Sequence, residues 1–279
     1  MTNNKIRKPN FFIVGVARAG TSSWHNYLKQ HPEVFMSEEQ RPNFFGEHID
    51  PNAEYYITEE RYLSLFKKVK NENIIGESSH LFGSTIAPNQ IKKFNPYSKV
   101  LIILRSPIEV LRSNIDYDGY KKVWSLIFTL KELLYYENLK RWIDVFGKKN
   151  VHIIIFDDFE KDVKREYKKV CDFLGIDNTF VPKFERLNFA AKTNYPFFMK
   201  IAFFIWNKLP FIARLKAKEF IGSKKKEKIQ KNYRKMDNHN EVKTSIIPKD
   251  KRELQKAFFL KEIEQTEKLL KRNLDSWKR

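Results

Sequence analysis

Four short apolar runs, each followed by a stretch with helical spacing, constrain this chain more than any other feature. They are "FFIVGV" (11–16), "NIIGE" (73–77), "KVLIILR" (99–105) and "VHIIIF" (151–156). None alternates apolar with polar residues, so each reads as a strand buried on both faces. Helical patterns lie between and after them: Thr21 to Gln30, a segment opening at Pro107, then 120–146 and 160–174. "QHP" closes the first, and proline in a first turn suits the second. Continuous apolar strands alternating with amphipathic helices imply an α/β fold, with a central parallel sheet flanked by helices. The sequence contains no internal repeat.

The character changes near residue 183. Between Lys183 and Lys235 there are 15 Lys and Arg against three Glu, a balance of +12, so most of the net charge of +19 sits in one segment. At 279 residues, 42% of them hydrophobic, the chain suits one domain with a sizeable core. The expected organisation is an α/β core over 11–182 and a basic, aromatic, helical extension over 183–279 that packs on it. The charge predicts attraction to something acidic: a nucleotide, a phosphorylated or sulfated substrate, a nucleic acid or an anionic membrane. The single cysteine, Cys171, excludes an intrachain disulfide and falls in a helical pattern, where a small buried apolar role is expected. The apolar run after the basic N-terminus is interrupted by a charge-bearing motif, which argues against a signal peptide. No stretch reaches the ~18 apolar residues of a membrane span.

The first strand runs into "GVARAGTSSW" (15–24). Glycine before a helix lets an anion approach unpaired backbone N–H groups and the positive end of the helix dipole. Arg18 adds a charged fork, and Thr21, Ser22 and Ser23 add hydroxyls. Gly15-x4-Gly20 has Walker spacing, but Thr21 follows Gly20 directly and the Walker lysine is missing. A nucleoside-triphosphate kinase is thereby disfavoured. An ordinary strand–helix turn and a phosphate cradle both fit the stretch taken alone.

Strand–GxxRxGTS–helix resembles the 5′-phosphosulfate loop of sulfotransferases that use 3′-phosphoadenylyl sulfate (PAPS). Many of these read PKSGT or RKGGT; the tyrosylprotein enzymes read GVPRSGTT, with arginine at the place of Arg18. A second element, "LIILRSPIEVLRSNIDY" (101–117), ends a strand in Arg105 and places Ser113 eight residues later. In that family such a pair binds the 3′-phosphate. The closing "LLKRNLDSW" is similar to the last helix of bacterial members. The resemblance is strongest over 11–175, with an echo at 263–277. It implies a P-loop NTPase-like sheet, PAPS as sulfuryl donor and PAP as product. It also implies a donor site made of Arg18, Ala19, Gly20, Thr21, Ser22, Arg105 and Ser113. By analogy with phosphoryl transfer, no metal is required, and no metal-ligand spacing is visible.

The base that takes the acceptor proton has three alignments, and they conflict. "HPEVFMSEEQR" (31–41) matches the tyrosylprotein enzymes' HPEVRCGEETR and puts their glutamate on Glu39, 21 residues after Arg18. Heparan-type and many bacterial enzymes carry glutamate three positions before a Phe-Phe pair; Arg41 stands there. Cytosolic enzymes use the histidine of KTHLP; "SSHLF" puts it on His80, with Ser78 where the lysine belongs. Glu39 is favoured and His80 placed second. Glu77 is a further carboxylate at the same sheet edge.

The resemblance implies a hydroxyl acceptor, such as a carbohydrate, glycolipid or small molecule, and a cytoplasmic enzyme with no nucleic-acid partner. Residues 197–235, where aromatics interleave with Lys and Arg, are expected to touch an anionic membrane peripherally. The competing reading is a non-catalytic basic module of the same fold that binds nucleotide, nucleic acid or membrane.

Overall fold

The computed structural model describes residues 7–46, 57–118, 129–185 and 259–278, with Ile115–Asp118 as backbone only. By its contacts the chain divides into two units, one of residues 1–114 and 127–189, the other of 115–126 and 190–279.

The first unit is an α/β layer structure. Its elements run β1 (Phe11–Gly15), α1 (Thr21–Lys29), β2 (Val34–Met36), α2 (Glu59–Ser64), β3 (Ile74–Ser78), α3 (Ala87–Phe94), β4 (Lys99–Leu104) and α4 (Pro107–Asp118). After these come α5 (Tyr135–Phe146), β5 (Val151–Ile155), α6 (Phe156–Lys161) and α7 (Val163–Leu174). The sheet is parallel throughout, in the order β2-β3-β1-β4-β5. Phe11–Val14 on β1 and Val100–Leu104 on β4 are buried to the last residue, which is why these strands are continuously apolar. The sheet order places β1 beside β4, yet β1 leads away to β2 on one side and β4 leads to β5 on the other. Adjacent strands whose connections leave in opposite directions open a crevice at their carboxyl ends.

Aromatic side chains lock the helices over the sheet. Trp24 of α1 stacks on Tyr167 of α7 with centroids 6.3 Å apart, and Phe159 of α6 packs against both Trp24 and Tyr27. Elsewhere Phe44, Phe45, Tyr62 and Phe94 form a second cluster, with Phe44 and Tyr62 stacked at 4.3 Å. Cys171 is buried and free, its thiol pushed up to about 11 by burial.

The structure differs from the sequence reading in several elements, and the short helices α2 and α3 were not read from the sequence at all. The short strand β2 was not expected; its three residues are too few to show a period. The long helix over 120–146 is broken in its described part, with helical residues 129–132 separated from α5 at Leu133 and Leu134. Asn138 sustains the break, because its side-chain amide takes the freed carbonyls of Lys131 and Glu132 at 2.7 and 3.4 Å. The pattern over 160–174 is likewise two helices. Asp162 stops α6 and caps α7, accepting from Arg165 N at 3.0 Å.

In the second unit, α8 (Leu260–Leu270) ends at Lys271 in the left-handed region, and one 3-10 turn follows at Asp275–Trp277. Glu267 ties the two together by accepting from Leu274 N at 2.6 Å.

Candidate active site

The turn after β1 has the properties of an anion cradle. Gly20, the residue before α1, has φ 89°, and a Cβ there would come within 3.1 Å of the Phe159 ring. Glycine therefore serves both the left-handed backbone and the close approach. The first turn of α1 carries no acidic residue and no side-chain cap. Its leading N–H groups and the positive dipole end are thus left for an external acceptor. Arg18 also sits in the left-handed region, at φ 65°. Its Nε donates to Ser113 Oγ at 3.0 Å, joining positions 95 residues apart.

Arg105 leaves the carboxyl end of β4 next door. Its Nη1 donates to the backbone carbonyl of Arg18 at 3.0 Å, its guanidinium lies 4.5 Å from the centre of the Phe156 ring, and Glu109 is 4.0 Å away. Arg18, Arg105 and Ser113 therefore occupy one place, at the crevice between β1 and β4, beside the turn of Ala19, Gly20, Thr21 and Ser22. Two arginines and a hydroxyl beside a bare helix N-terminus suit a ligand with two separated phosphate groups.

The ends of β2 and β3 form the adjoining wall. A small depression there is lined by Thr21, Ser22, Gln40, Arg41, Ser78, Ser79 and His80. His80 is lowered to about 4, first by burial and then by the Arg41 and Arg18 charges, so its imidazole is neutral at pH 7. Glu39 stands apart from this lining. Its side chain is 42% exposed, its carboxylate is 3.9 Å from Arg61, and its carbonyl accepts from Ser37 Oγ at 2.8 Å. The wall is held from behind by Glu77. That carboxyl is fully buried and pushed up to about 7 by desolvation. It accepts from Ser79 Oγ at 2.6 Å, and Ser79 Oγ in turn accepts from Asn43 N at 3.2 Å. Arg41 N donates to Ser78 O at 2.8 Å, and Arg41 and Asn43 both have positive φ.

The family model described as the sulfotransferase domain matches residues 8–202, more than half of the chain and the whole crevice. The chain belongs to the sulfotransferase domain family. Among curated sulfotransferases, human heparan sulfate glucosamine 3-O-sulfotransferase 6 is 24% identical over 210 residues, covering 68% of this chain and 58% of its own. Rat carbohydrate sulfotransferase 15 is 24% identical over 249 residues, covering 60% of this chain and 44% of its own. This chain thus spans about half the length of the curated relatives it matches. A crystal structure of a sulfotransferase from Alicyclobacillus acidocaldarius superposes with a TM-score of 0.68 at 24% identity, over 98% of this chain and all of that one. That likeness establishes the shared sulfotransferase fold.

The sequence reading missed three residues of this candidate site. Glu132 is buried, and its Oε2 accepts from Ala17 N at 3.0 Å. His25 is buried on α1, with Nδ1 2.9 Å from Ser78 Oγ, and is lowered to about 4 mainly by burial. Phe156 lies under Arg105. Glu132 and His25 sit inside helical patterns where they read as ordinary polar positions. The only available signal was an acid or imidazole on a face otherwise apolar.

Proposed function

We propose that this chain transfers a sulfuryl group from PAPS to a hydroxyl acceptor and releases PAP. The observation that carries the reading is the convergence of Arg18, Arg105 and Ser113 at the crevice beside the uncapped start of α1. In this reading Arg105 and Ser113 bind the 3′-phosphate, and the turn of Ala19, Gly20, Thr21 and Ser22 holds the 5′-phosphosulfate. The acceptor oxygen attacks sulfur as the bond from sulfur to the phosphate oxygen breaks. Negative charge gathers on the departing phosphate, where Arg18 and the N–H groups of Gly20, Thr21 and Ser22 stabilise it. The acceptor proton goes to His80.

His80 is proposed as base in preference to Glu39 because His80 lines the depression beside Thr21 and Ser22, whereas Glu39 faces Arg61. A base must be unprotonated, and the low pKa keeps His80 so. The bound donor adds negative charge beside Arg18 and Arg41, which offsets their repulsion of an imidazolium.

The acceptor is proposed to be a glycan or glycolipid hydroxyl. The similarity to enzymes named for heparan sulfate glucosamine and carbohydrate supports this. Calorimetry with PAP and a transfer screen with labelled PAPS over glycan, lipid and phenol pools test the proposal. PAP binding with label moved to a glycan supports it. PAP binding with no transfer points to a module that keeps the nucleotide and lacks the chemistry. Absence of PAP binding removes the proposal altogether.

Residues 197–235 lie outside the described residues, and among the described ones no helix is long and apolar enough to cross a membrane. Composition alone supports a peripheral contact of this segment with an anionic leaflet, each basic residue adding about 1 kcal/mol near the surface. Phosphatidylglycerol vesicles should sediment the protein at low salt. High salt, or Lys224, Lys225 and Lys226 all changed to Gln, should release it. A protein that stays in the supernatant at low salt defeats the contact.

A further inference from the structure

Three side chains on one short segment reach both halves of the donor site. Thr129 Oγ1 accepts from Asn114 Nδ2 at 2.9 Å, one residue beyond Ser113. Glu132 Oε2 accepts from Ala17 N at 3.0 Å, one residue before Arg18. The Tyr135 hydroxyl donates to the carbonyl of Arg105 at 2.7 Å. Each bond ends on, or beside, a residue that would touch the nucleotide.

We infer that Thr129–Tyr135 is a strut that positions the donor site, with Glu132 setting the 5′ turn and Tyr135 setting the 3′-phosphate arginine. The inference rests on the donor reading above.

The segment is built for this. Its break at Leu133 and Leu134 lets Glu132 and Tyr135 reach different strands, which neighbouring positions of one continuous helix could not do as freely. Asn138 holds the broken turn through the carbonyls of Lys131 and Glu132, and Arg141 holds Asn138 by donating to its Oδ1 at 2.8 Å. Gly83 leaves the room: a Cβ there would stand 3.1 Å from Glu132 N and 3.3 Å from its Cγ. Gly15 does the same at the other end, where a Cβ would lie 3.4 Å from Glu132 Oε1.

Glu132 is also a costly residue to keep. It is 1% exposed, its Oε1 is buried without a hydrogen-bond partner, and burial pushes its carboxyl up to about 7. An apolar side chain would avoid that cost but would leave Ala17 N–H buried and unsatisfied. The neighbouring residues of the turn have other holds: Val16 N donates to Ile103 O at 2.9 Å, Ala19 N to Val16 O at 3.2 Å, and Arg18 is held through its carbonyl and side chain by Arg105 and Ser113. Glu132 is thus the side chain that pins the residue just before the left-handed Arg18.

The two ends of the strut make different predictions, because PAP carries both phosphates and 5′-AMP only one. The full-length protein is titrated with each nucleotide. Tyr135→Phe should weaken PAP about three- to tenfold and leave 5′-AMP unchanged. Glu132→Ala should weaken both about tenfold or more, and Glu132→Gln, which keeps an acceptor oxygen, should recover most of that loss. A purely structural role would lower the melting temperature of each variant without separating the nucleotides. If Glu132→Ala does not fold, the Tyr135→Phe split decides. Equal losses for PAP and 5′-AMP in Tyr135→Phe overturn the inference. So does a folded Glu132→Ala that binds both like wild type, or a Gln variant as weak as the Ala one. A wild-type protein that does not prefer PAP over 5′-AMP instead sinks the donor reading, and the strut with it.

Discussion

The two sides of the crevice are built differently. On the β1–β4 side, Arg18, Arg105 and Ser113 are cross-linked to one another and braced from behind by Glu132 and Tyr135. On the β2–β3 side, Arg41 and Asn43 hold left-handed backbones, Glu39 points toward Arg61, and one buried carboxyl, Glu77, props the wall through Ser79. A nucleotide has a fixed shape, and a prebuilt, bonded site avoids reorganisation when charge develops. An acceptor varies, and a wall of short bends can change residues with less cost to the sheet. In the proposed reading, one side recognises the donor and the other the acceptor with its proton.

Substitutions can break that division. The largest effect is expected at His80. His80→Ala should cut kcat by about 10²–10⁴ while PAP affinity holds, and Glu39→Gln should stay near wild type. Single-turnover rates on an identified acceptor check this, and the reverse ranking would return the proton to Glu39. Next is Arg18→Ala, expected to lower kcat by about 10²–10³ with a smaller change in PAP affinity, since its charge matters most in the transition state. A loss confined to affinity would make Arg18 a ground-state binder. Arg105→Ala should weaken PAP about tenfold or more, a charged partner being worth about 1.5–3 kcal/mol, and leave 5′-AMP alone. Equal losses would detach Arg105 from the 3′-phosphate.

The smallest effect concerns the prop behind the acceptor wall. Glu77 has its ordinary value near 4.5 when unfolded and about 7 when folded. Between these, the folded state keeps a proton that the unfolded state has lost, so rising pH favours unfolding and the effect levels off above about 7. Glu132 acts in the same direction. His25 and His80, both lowered to about 4, act in the opposite direction, so the wild-type slope is a balance. Removing the Glu77 contribution in Glu77→Gln should make melting temperature rise more, or fall less, between pH 4.5 and 7 than in wild type. Identical slopes would mean that Glu77 is not held neutral.

Much of this protein was legible from local pattern. The runs 11–16, 99–105 and 151–156 became β1, β4 and β5 almost residue for residue; for β1 and β4 the reason is that a strand covered on both faces must be apolar throughout. "GVARAGTSSW" announced a strand, a turn and a helix start, since glycine before a run of hydroxyl residues leaves a helix N-terminus uncapped by carboxylate. Periodicity read the segments of α1, α4, α5 and α7 but missed the short α2 and α3, and it missed the breaks at Leu133 and Asp162, where single side chains, Asn138 and Asp162, decide. It also could not tell Glu39 from His80, because both follow the ends of strands and nothing in their spacing says which faces the turn.

The sequence by itself determined the parallel sheet, the two motifs proposed to bind the donor, and the basic segment after 183. Each of these is written within a window of about 20 residues, the range over which hydrophobic period and turn chemistry act. Only the tertiary structure decided that Arg18 meets Ser113, that Arg105 holds the Arg18 carbonyl, and that Glu132 reaches Ala17. Those meetings depend on β4 crossing back to lie beside β1, and strand order is settled by the burial of whole faces rather than by any neighbouring residue.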